Sequence, residues 1–401
     1  MSMHPGSSNA TILHIGAPKC GSTALQSAFY LNRERLRGVG VEFIGSHAHW
    51  TSAAKAVTGV ADRISGKVPP ISEWDALLAW TARAHQEGRT ALISSEWFAS
   101  ADAAHIERIV RDLGRDSLQV VLAIRPLTST LPSAWQQGLK LGGTLGLAAW
   151  LETILTKPES PRTQRVWLKH GYDEIASRWA EAIGKDRVTI LIVDEQRPES
   201  IFQDFSLIAK LPEGVLSTAP KRTNPSLSAF EADVLAELNQ MFFTRGGTLK
   251  EYRSGVLRTF DGYVNSIRQG GIEKSRIPAQ LLPAVLARNA EIARNIESLG
   301  CTVIGDLKRF ADPAVRAVAE STSGTESGQR DADVRSAAGM MYSLIITAGI
   351  TEPVAPLPGF GRLSDRYRYQ ATSLARRLAR AAKRGVIARL GFSGRATKRD
   401  A

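Results

Sequence analysis

Cysteine is scarce in this sequence: Cys20 and Cys301 are its two copies among 401 residues. A small secreted domain held by disulfides needs a much denser cysteine framework, so we expect a reducing, cytoplasmic environment. A structural metal site built from several cysteines is excluded for the same reason. Long apolar runs are also missing, because stretches such as 340–350 fall well short of the roughly 18 residues that span a bilayer. We therefore expect no transmembrane helix, and the short polar N-terminus does not resemble a signal peptide.

The composition is that of a folded globular protein, with 43% hydrophobic and 22% charged residues. The net charge of +12 is concentrated at one end. Residues 361–401 contain twelve Lys and Arg against two Asp, so this tail carries +10 of the total. The rest of the chain is nearly neutral. The basic charge therefore says little about what the main domain binds, and we expect no nucleic acid as a partner.

An alternation of short apolar runs with amphipathic segments predicts an α/β fold with a mainly parallel sheet flanked by helices. The predicted strands are 11–15, 90–93, 119–124 and 188–193, with a further short run at 302–305. The predicted helices are 22–36, 73–87, 127–141, 172–183, 227–241 and 279–298. Residues 319–335 have the small, polar composition of a linker, which divides the chain into a main domain, 1–318, and a basic, helical C-terminal extension, 336–401.

The most informative motif follows the first predicted strand, in residues 16–26, GAPKCGSTALQ. Here a strand is followed by a glycine-bearing loop and then by a helix. In this arrangement the backbone N–H groups of the loop and of the first helical turn point toward one place, which suits an anion. Lys19 adds a positive charge, and Ser22 and Thr23 add hydroxyl donors. We therefore predict that this loop binds a phosphate group.

The loop departs from the nucleoside triphosphatase pattern G-x-x-x-x-G-K-S/T. Gly16 and Gly21 have the required spacing, but Ser22 stands where that pattern has its lysine, which has moved to Lys19. This change weakens the case for γ-phosphoryl transfer. A kinase-like phosphotransferase stays open as an alternative because the run 191–195, LIVDE, resembles a strand that carries a magnesium-binding aspartate.

A second motif lies about a hundred residues further on, where the predicted strand 119–124 ends at Arg125 and Pro126. An arginine at the carboxyl end of a parallel strand faces the crevice in which such sheets bind ligands, and its guanidinium can hold a phosphate through two hydrogen bonds. Ser133, on the following helix, would add a neutral donor. Taken alone, Arg125 and Ser133 could be a surface arginine and an incidental serine, but the two motifs together predict a ligand with two separated phosphate groups.

Residues 18–26, PKCGSTALQ, resemble the 5′-phosphosulfate loop of sulfotransferases that use 3′-phosphoadenosine 5′-phosphosulfate (PAPS), particularly bacterial members. In that family, an arginine at a strand end and a serine eight residues later bind the 3′-phosphate of the donor. Arg125 and Ser133 have this spacing, and the resemblance extends weakly over residues 11–311. It implies a P-loop-type fold and donor contacts from Lys19, Cys20, Gly21, Ser22, Thr23, Ala24, Arg125 and Ser133. Lys221 and Arg222, in a looser match, would contact adenosine or its phosphate, or else form a solvated basic turn.

Sulfuryl transfer needs a base for the acceptor hydroxyl and a positive charge near the leaving oxygen. Lys19 suits the second role. Glu96 follows the predicted strand 90–93 and is our preferred base, with His49 as the rival because the family uses either residue type. Each could instead have only a local structural role. We assign no chemistry to the Cys20 thiol and expect no metal site.

The sequence therefore predicts a cytoplasmic, metal-independent sulfotransferase that passes a sulfuryl group from PAPS to a hydroxyl of a small molecule, carbohydrate or lipid. A carbohydrate or glycolipid acceptor is preferred by resemblance alone. The alternatives are the kinase and a non-catalytic nucleotide-binding protein tethered by its basic tail. Within the tail, residues 371–390 have the pattern of a basic amphipathic helix, which predicts peripheral contact with an anionic membrane, although a solvated extension has the same composition.

Overall fold

The structure is a computed structural model that describes residues 10–47, 50–62, 65–216, 227–257, 260, 273–313 and 324–347. Within these ranges the chain is an α/β protein in which helices flank one six-stranded sheet. All the strand pairs are parallel. The predicted fold class is thereby confirmed, and the arrangement is consistent with a P-loop-type sheet. None of the helices in these ranges is long and apolar enough to cross a bilayer.

The order of the strands places the first strand at the centre of the sheet. The strands are β1, Thr11–Gly16; β2, Val41–Phe43; β3, Thr90–Ser94; β4, Leu118–Ile124; β5, Val188–Ile192; and β6, Thr302–Ile304. Their spatial order is β2-β3-β1-β4-β5-β6. The chain first builds the sheet on one side of β1 and then continues on the other side from β4. Open α/β sheets bind ligands at such a reversal, which lies here between the carboxyl ends of β1 and β4.

The helices follow the strands in the order expected of parallel crossovers. Their bounds are α1, Ser22–Leu31; α2, Arg33–Gly38; α3, Ser52–Val57; α4, Ser72–Gln86; α5, Ala103–Leu113; α6, Leu127–Leu139; α7, Leu147–Thr156; α8, Pro161–His170; α9, Tyr172–Ile183; α10, Ser200–Ile208; α11, Ala229–Thr244; α12, Leu249–Glu251; α13, Leu282–Leu299; α14, Leu307–Ala311; and α15, Gly324–Thr347. A 3₁₀ turn, Glu96–Ser100, directly follows β3.

The core of the sheet is centred on β1, whose six residues are all buried. A strand covered on both faces needs apolar side chains in succession rather than in alternation, and Ile12, Leu13 and Ile15 meet that need. Its polar residues are Thr11 and His14, both fully buried, and His14 bonds through Nδ1 to Ser94 Oγ of β3 at 2.7 Å. The two neighbouring strands are therefore joined by side chains as well as by the ladder.

Two compact units can be distinguished in the chain. The first contains the whole sheet and the described residues of 10–130, 153–216 and 282–313. The second contains 131–152, the described residues between 227 and 281, and α15. In this second unit the Asn239 amide donates to the carbonyls of Leu139 and Gly143 at 2.8 and 2.7 Å, which ties α11 to the end of α6.

The strand predictions are confirmed to within a residue or two at each end, and most helix predictions to within about three. The predicted helix 22–36 is wrong as a single element, since it divides at Asn32, whose side-chain amide donates to the Ala28 carbonyl at 2.8 Å. The edge strand β2 was not predicted, because three residues are too few to show a period. Residues 324–335 of the predicted linker form the first half of α15.

Candidate functional site

The loop between β1 and α1 is a tight turn built from left-handed backbone conformations. Gly16, Lys19 and Gly21 have φ values of 104°, 67° and 85°. A Cβ added to Gly21 would lie 2.6 Å from Cδ1 of Ile201, and the φ of this residue is one that side-chain-bearing residues rarely adopt, so the position favours glycine. Residues that alternate between right- and left-handed conformations turn successive N–H groups into one concavity, which is an anion-binding geometry.

Helix α1 begins at Ser22, directly after the loop, and the N–H groups of Ala24 and Leu25 bond to the Gly21 carbonyl at 2.9 and 3.1 Å. No side chain caps this end of the helix, and the first N–H groups of a helix have no partner within it. The Ser22 hydroxyl donates to the Ala17 carbonyl at 3.0 Å and is therefore engaged in closing the loop. Thr23 and Ala24 are exposed. In the turn itself, the N–H groups of Ala17 and Cys20 bond to the carbonyls of Ala123 and Ala17. An anion at this point would meet the exposed Thr23 hydroxyl and the positive end of the helix dipole.

Glu96 lies directly against this loop. A Cβ added to Gly16 would lie 3.0 Å from Cα and 3.2 Å from Cβ of Glu96, so the glycine allows the two segments to touch. Ser95 is 1% exposed and its hydroxyl caps the 3₁₀ turn by accepting from the Trp97 N–H. Glu96 itself is partly exposed. The carboxylate therefore stands at the carboxyl edge of the sheet, beside the end of β1.

The turn that carries Glu96 also carries a cationic cluster. The ammonium groups of Lys55, from α3, and Lys169, from α8, lie 4.9 and 5.1 Å from the ring centroid of Trp97. Asp62 neutralises one of them through a 2.9 Å ion pair with Lys55. Ammonium groups over an indole ring are attracted to its negative face. This cluster fixes the turn between two helices and so fixes the position of Glu96.

The side chain of Cys20 is the buried centre of the loop. Its Sγ lies 3.5 Å from the Tyr172 hydroxyl, which donates in turn to Thr130 Oγ1 at 3.2 Å. His170 Nδ1 lies 3.4 Å from the same hydroxyl. Burial raises the pKa of Tyr172, and it lowers the pKa of His170 to about 3, with the charges of Lys169 and Lys19 adding to that lowering. Tyrosine and histidine are therefore neutral at physiological pH and serve as hydrogen-bonding groups.

The electrostatics of the Cys20 thiol show which groups surround it. Burial raises its pKa to about 12, so the thiol stays protonated. The Tyr172 hydroxyl, the Arg125 guanidinium and the Arg125 backbone N–H favour the thiolate, whereas the Glu96 carboxylate disfavours it. The Arg125 backbone therefore bonds to this buried sulfur atom, and the charges of Arg125 and Glu96 lie near enough to affect its pKa. Cys20 is not a nucleophile in this environment.

Arg125 follows β4 and forms an ion pair with Glu195, which follows β5. The two side chains are 33% and 29% exposed, so this pair lies at the surface of the crevice. Asp194 holds the segment after β5 in place, because it bonds to Arg197 at 3.0 Å and to Arg309 of α14 at 3.4 Å. The Asp194 pKa is lowered, first by the Gln196 backbone N–H and then by these arginines.

The backbone next to Arg125 is anchored by a residue distant in sequence. Asn289, fully buried on α13, accepts a hydrogen bond from the Leu127 N–H through Oδ1 at 2.9 Å. This bond satisfies a donor in the first turn of α6 that has no partner within the helix. The carbonyl of Pro126 accepts from the N–H and hydroxyl of Thr130 at 3.1 and 3.4 Å. Arg125 therefore projects from a well-fixed turn.

A cavity of about 430 Å³ lies beside the Arg125–Glu195 pair, at the carboxyl ends of β5 and β6. Its wall includes Pro126, Glu195, Asp204, Arg309 and Phe310. The cavity combines an aromatic ring and a proline with charged groups of both signs. This is the composition of a pocket that can take a planar or hydroxyl-bearing group.

The structure brings together some of the predicted site residues. Residues 19–24, Glu96 and Arg125 meet at the carboxyl edge of the sheet, in the first unit. Ser133 lies on α6 and is partly exposed, but it belongs to the second unit. His49, Lys221 and Arg222 lie outside the described residues.

Sequence reasoning missed the residues that hold this site in place. Tyr172, Thr130 and Asn289 contact the two motifs from other helices, and short-range patterns carry no signal for such contacts. Glu195 was noted only as part of a strand resembling a magnesium-binding one, and its pairing with Arg125 was not foreseen. A local signal did exist for Asn289, since a polar residue on the apolar face of a predicted helix needs a buried partner.

Comparison of the chain with protein families, curated proteins and solved structures found no match.

Proposed function

We propose that the chain is a PAPS-dependent sulfotransferase. The observation that supports this most is the position of two cationic residues on either side of the reversal in strand order. Lys19 follows β1 and Arg125 follows β4, and these strands are hydrogen-bonded neighbours. A nucleotide lying across this crevice would have its 5′-phosphosulfate at the loop and its 3′-phosphate at Arg125.

The residues present suit these two anionic groups. The left-handed conformations of Gly16, Lys19 and Gly21 are those of a turn that directs successive backbone N–H groups to one side, which suits an anion. At the other end, the Glu195 carboxylate pairs with Arg125 and stands in for an anionic ligand oxygen. A phosphate at this position would make the same type of charge-assisted hydrogen bonds.

The proposed reaction is an in-line transfer of the sulfuryl group. Glu96 accepts the proton of the acceptor hydroxyl as the acceptor oxygen forms a bond to sulfur. The bond between sulfur and the bridging oxygen breaks, and its electron pair stays on the 5′-phosphate of the departing adenosine 3′,5′-bisphosphate. Lys19 and the loop N–H groups stabilise the negative charge that develops on that oxygen. Glu96 would be suited to this role because it lies against the loop that binds the leaving group.

The kinase alternative is less well supported. Its magnesium-binding aspartate would be Asp194, but this carboxylate already faces the guanidinium groups of Arg197 and Arg309. Two arginines at one carboxylate disfavour a divalent cation there by charge repulsion. The non-catalytic alternative keeps Lys19 and Arg125 but needs no base, so a test of Glu96 separates it from the enzyme.

We extend the proposal to the acceptor and to the location of the protein. The acceptor would be a hydroxyl compound, preferably a carbohydrate or glycolipid, and the enzyme would be cytoplasmic. Residues 361–401, which lie outside the described ranges, would attach it peripherally to anionic membranes, with each Lys or Arg near the surface contributing about 1 kcal/mol. Equal co-sedimentation of the full chain and of a chain ending at Phe360 with anionic vesicles at low salt would reject this membrane role.

The donor site is tested by removing each cationic group. Lys19→Ala and Arg125→Ala should each weaken binding of adenosine 3′,5′-bisphosphate by roughly 1.5 to 3 kcal/mol, the range for hydrogen bonds to charged groups. Isothermal titration calorimetry measures both losses. The matched controls are Lys185→Ala and Arg111→Ala, because these residues lie before β5 and β4, at the amino end of the sheet. Unchanged affinity in either site variant would contradict the proposed donor position.

A further inference from the structure

A buried chain of polar contacts joins the loop after β1 to the turn after β4. Cys20 belongs to the loop, and its thiol contacts both the Arg125 backbone N–H and the Tyr172 hydroxyl. Tyr172 donates to Thr130, and Thr130 donates to the carbonyl of Pro126, next to Arg125. Each of the two motifs is thus in contact with the same tyrosine, which α9 supplies.

Because the groups in this network of polar contacts are buried, the network is rigid. Cys20, Thr130 and Tyr172 are each 0% exposed. A buried polar group that loses its partner is costly, so the members of such a network hold one another in a single arrangement. Tyr172 is also packed edge-on against Phe310 of α14, with ring centroids 6.2 Å apart. The distance between the two motifs is therefore set by a side chain that itself has little freedom.

We infer that Cys20 and Tyr172 are positioning residues that hold the 5′ and 3′ anion subsites at the spacing of one nucleotide. This inference rests on the proposed function. The thiol is protonated and buried, and the tyrosine hydroxyl lies beneath the loop, so both act through the groups they hold. A ligand that engages both subsites gains from their preset spacing, because the second contact then costs little further ordering. A ligand that engages one subsite gains nothing from it.

The test compares three nucleotides on the full chain: adenosine 3′,5′-bisphosphate, adenosine 5′-monophosphate and adenosine 3′-monophosphate. Their dissociation constants are measured by calorimetry for the wild type, for Tyr172→Phe and for Cys20→Ala. We expect each variant to raise the dissociation constant of the bisphosphate about tenfold, which corresponds to the loss of roughly one hydrogen bond. The dissociation constant of each monophosphate should rise less than about twofold. Cys20→Ser, which keeps a polar atom at the sulfur position, should restore most of the loss.

The control is Ser177→Ala, which removes a hydroxyl from the solvent-facing side of the same helix, where it donates to Glu181. It should leave all three dissociation constants unchanged. An equal loss for all three nucleotides in Tyr172→Phe and Cys20→Ala would show a general structural role and overturn the inference, as would no loss at all. A wild-type protein that binds the bisphosphate no more tightly than the monophosphates would contradict the proposed function itself. If Tyr172→Phe fails to fold, the paired cysteine variants decide the outcome.

Discussion

Glu96 is the residue on which the proposed chemistry depends. It lies against Gly16 in the loop after β1, and its carboxylate acts electrostatically on the Cys20 thiol. Glu96→Gln keeps the shape of the side chain and removes the base. Turnover should therefore drop by roughly 10² to 10⁴, while the affinity for adenosine 3′,5′-bisphosphate is retained.

The rival base provides the contrast for this experiment. His49→Ala should leave turnover close to that of the wild type if Glu96 takes the proton. Loss of turnover in His49→Ala together with an active Glu96→Gln would reverse the two assignments. A Glu96→Gln protein that has lost its affinity for the bisphosphate would instead assign Glu96 to the donor site.

Glu195 competes with any anionic ligand for Arg125, because the two side chains form an ion pair. Glu195→Gln removes the competing charge and should tighten adenosine 3′,5′-bisphosphate binding about fivefold, the upper range for a surface ion pair. Adenosine 5′-monophosphate, which has no 3′-phosphate, should bind as before. Calorimetry with Glu199→Gln, an exposed acid of the same segment, controls for net charge. Weaker bisphosphate binding in Glu195→Gln would show that Glu195 contacts the ligand directly.

At the scale of elements, strand β1 contains a buried imidazole whose protonation opposes folding. Burial lowers the His14 pKa from 6.5 to about 4, so the unfolded chain binds a proton more readily than the folded one between these values. Stability should therefore fall as the pH drops from 6.5 toward 4, by about 2 kcal/mol from this residue between pH 7 and pH 5. Urea unfolding at both pH values measures the loss.

His14→Asn should reduce this pH dependence, although the buried site makes the variant less stable at every pH. The matched control is His47→Asn, a histidine on the exposed loop after β2. A pH dependence that is unchanged in His14→Asn would contradict the assigned role of the buried ring. His170, which has a pKa of about 3 for the same reason, contributes in the same direction.

The elements that could be predicted are those whose signal is local. β1, β3, β4 and β5 are continuous apolar runs because both their faces are covered, and such runs are visible in the sequence. The loop after β1 was likewise visible through its glycines and lysine. β2 was missed because its three residues are too few to show a hydrophobic period. The break at Asn32 depends on one side-chain bond to Ala28, which no periodicity shows.

In the candidate site, too, only features with a local sequence signal could be predicted. The position of Lys19, Glu96 and Arg125 at one edge of the sheet could be predicted, because each lies in the segment that follows a strand and strand ends meet at one edge of a parallel sheet. Tyr172 and Asn289 could not be found, since they reach the site from helices more than a hundred residues away from the groups they hold. The sequence thus predicts which groups would contact a ligand but not which groups fix their spacing.

At the scale of the whole molecule, the order of the strands decides where a ligand can bind. The reversal between β1 and β4 brings a lysine loop and an arginine turn from distant parts of the chain to adjacent strand ends. Under the proposed function, each of these cationic groups would bind one end of a nucleotide with two separated anionic groups. A nucleotide with a single triphosphate would satisfy the loop but would leave Arg125 without its phosphate.

The most direct measurement is therefore calorimetric titration of the full chain with adenosine 3′,5′-bisphosphate and, separately, with ATP. If the site has separate subsites for the 5′ and 3′ anions, the bisphosphate should bind at least about tenfold more tightly than ATP. Its 3′-phosphate adds a hydrogen-bonded charge pair that ATP lacks. Tighter binding of ATP than of the bisphosphate would contradict the proposed sulfotransferase and favour the kinase.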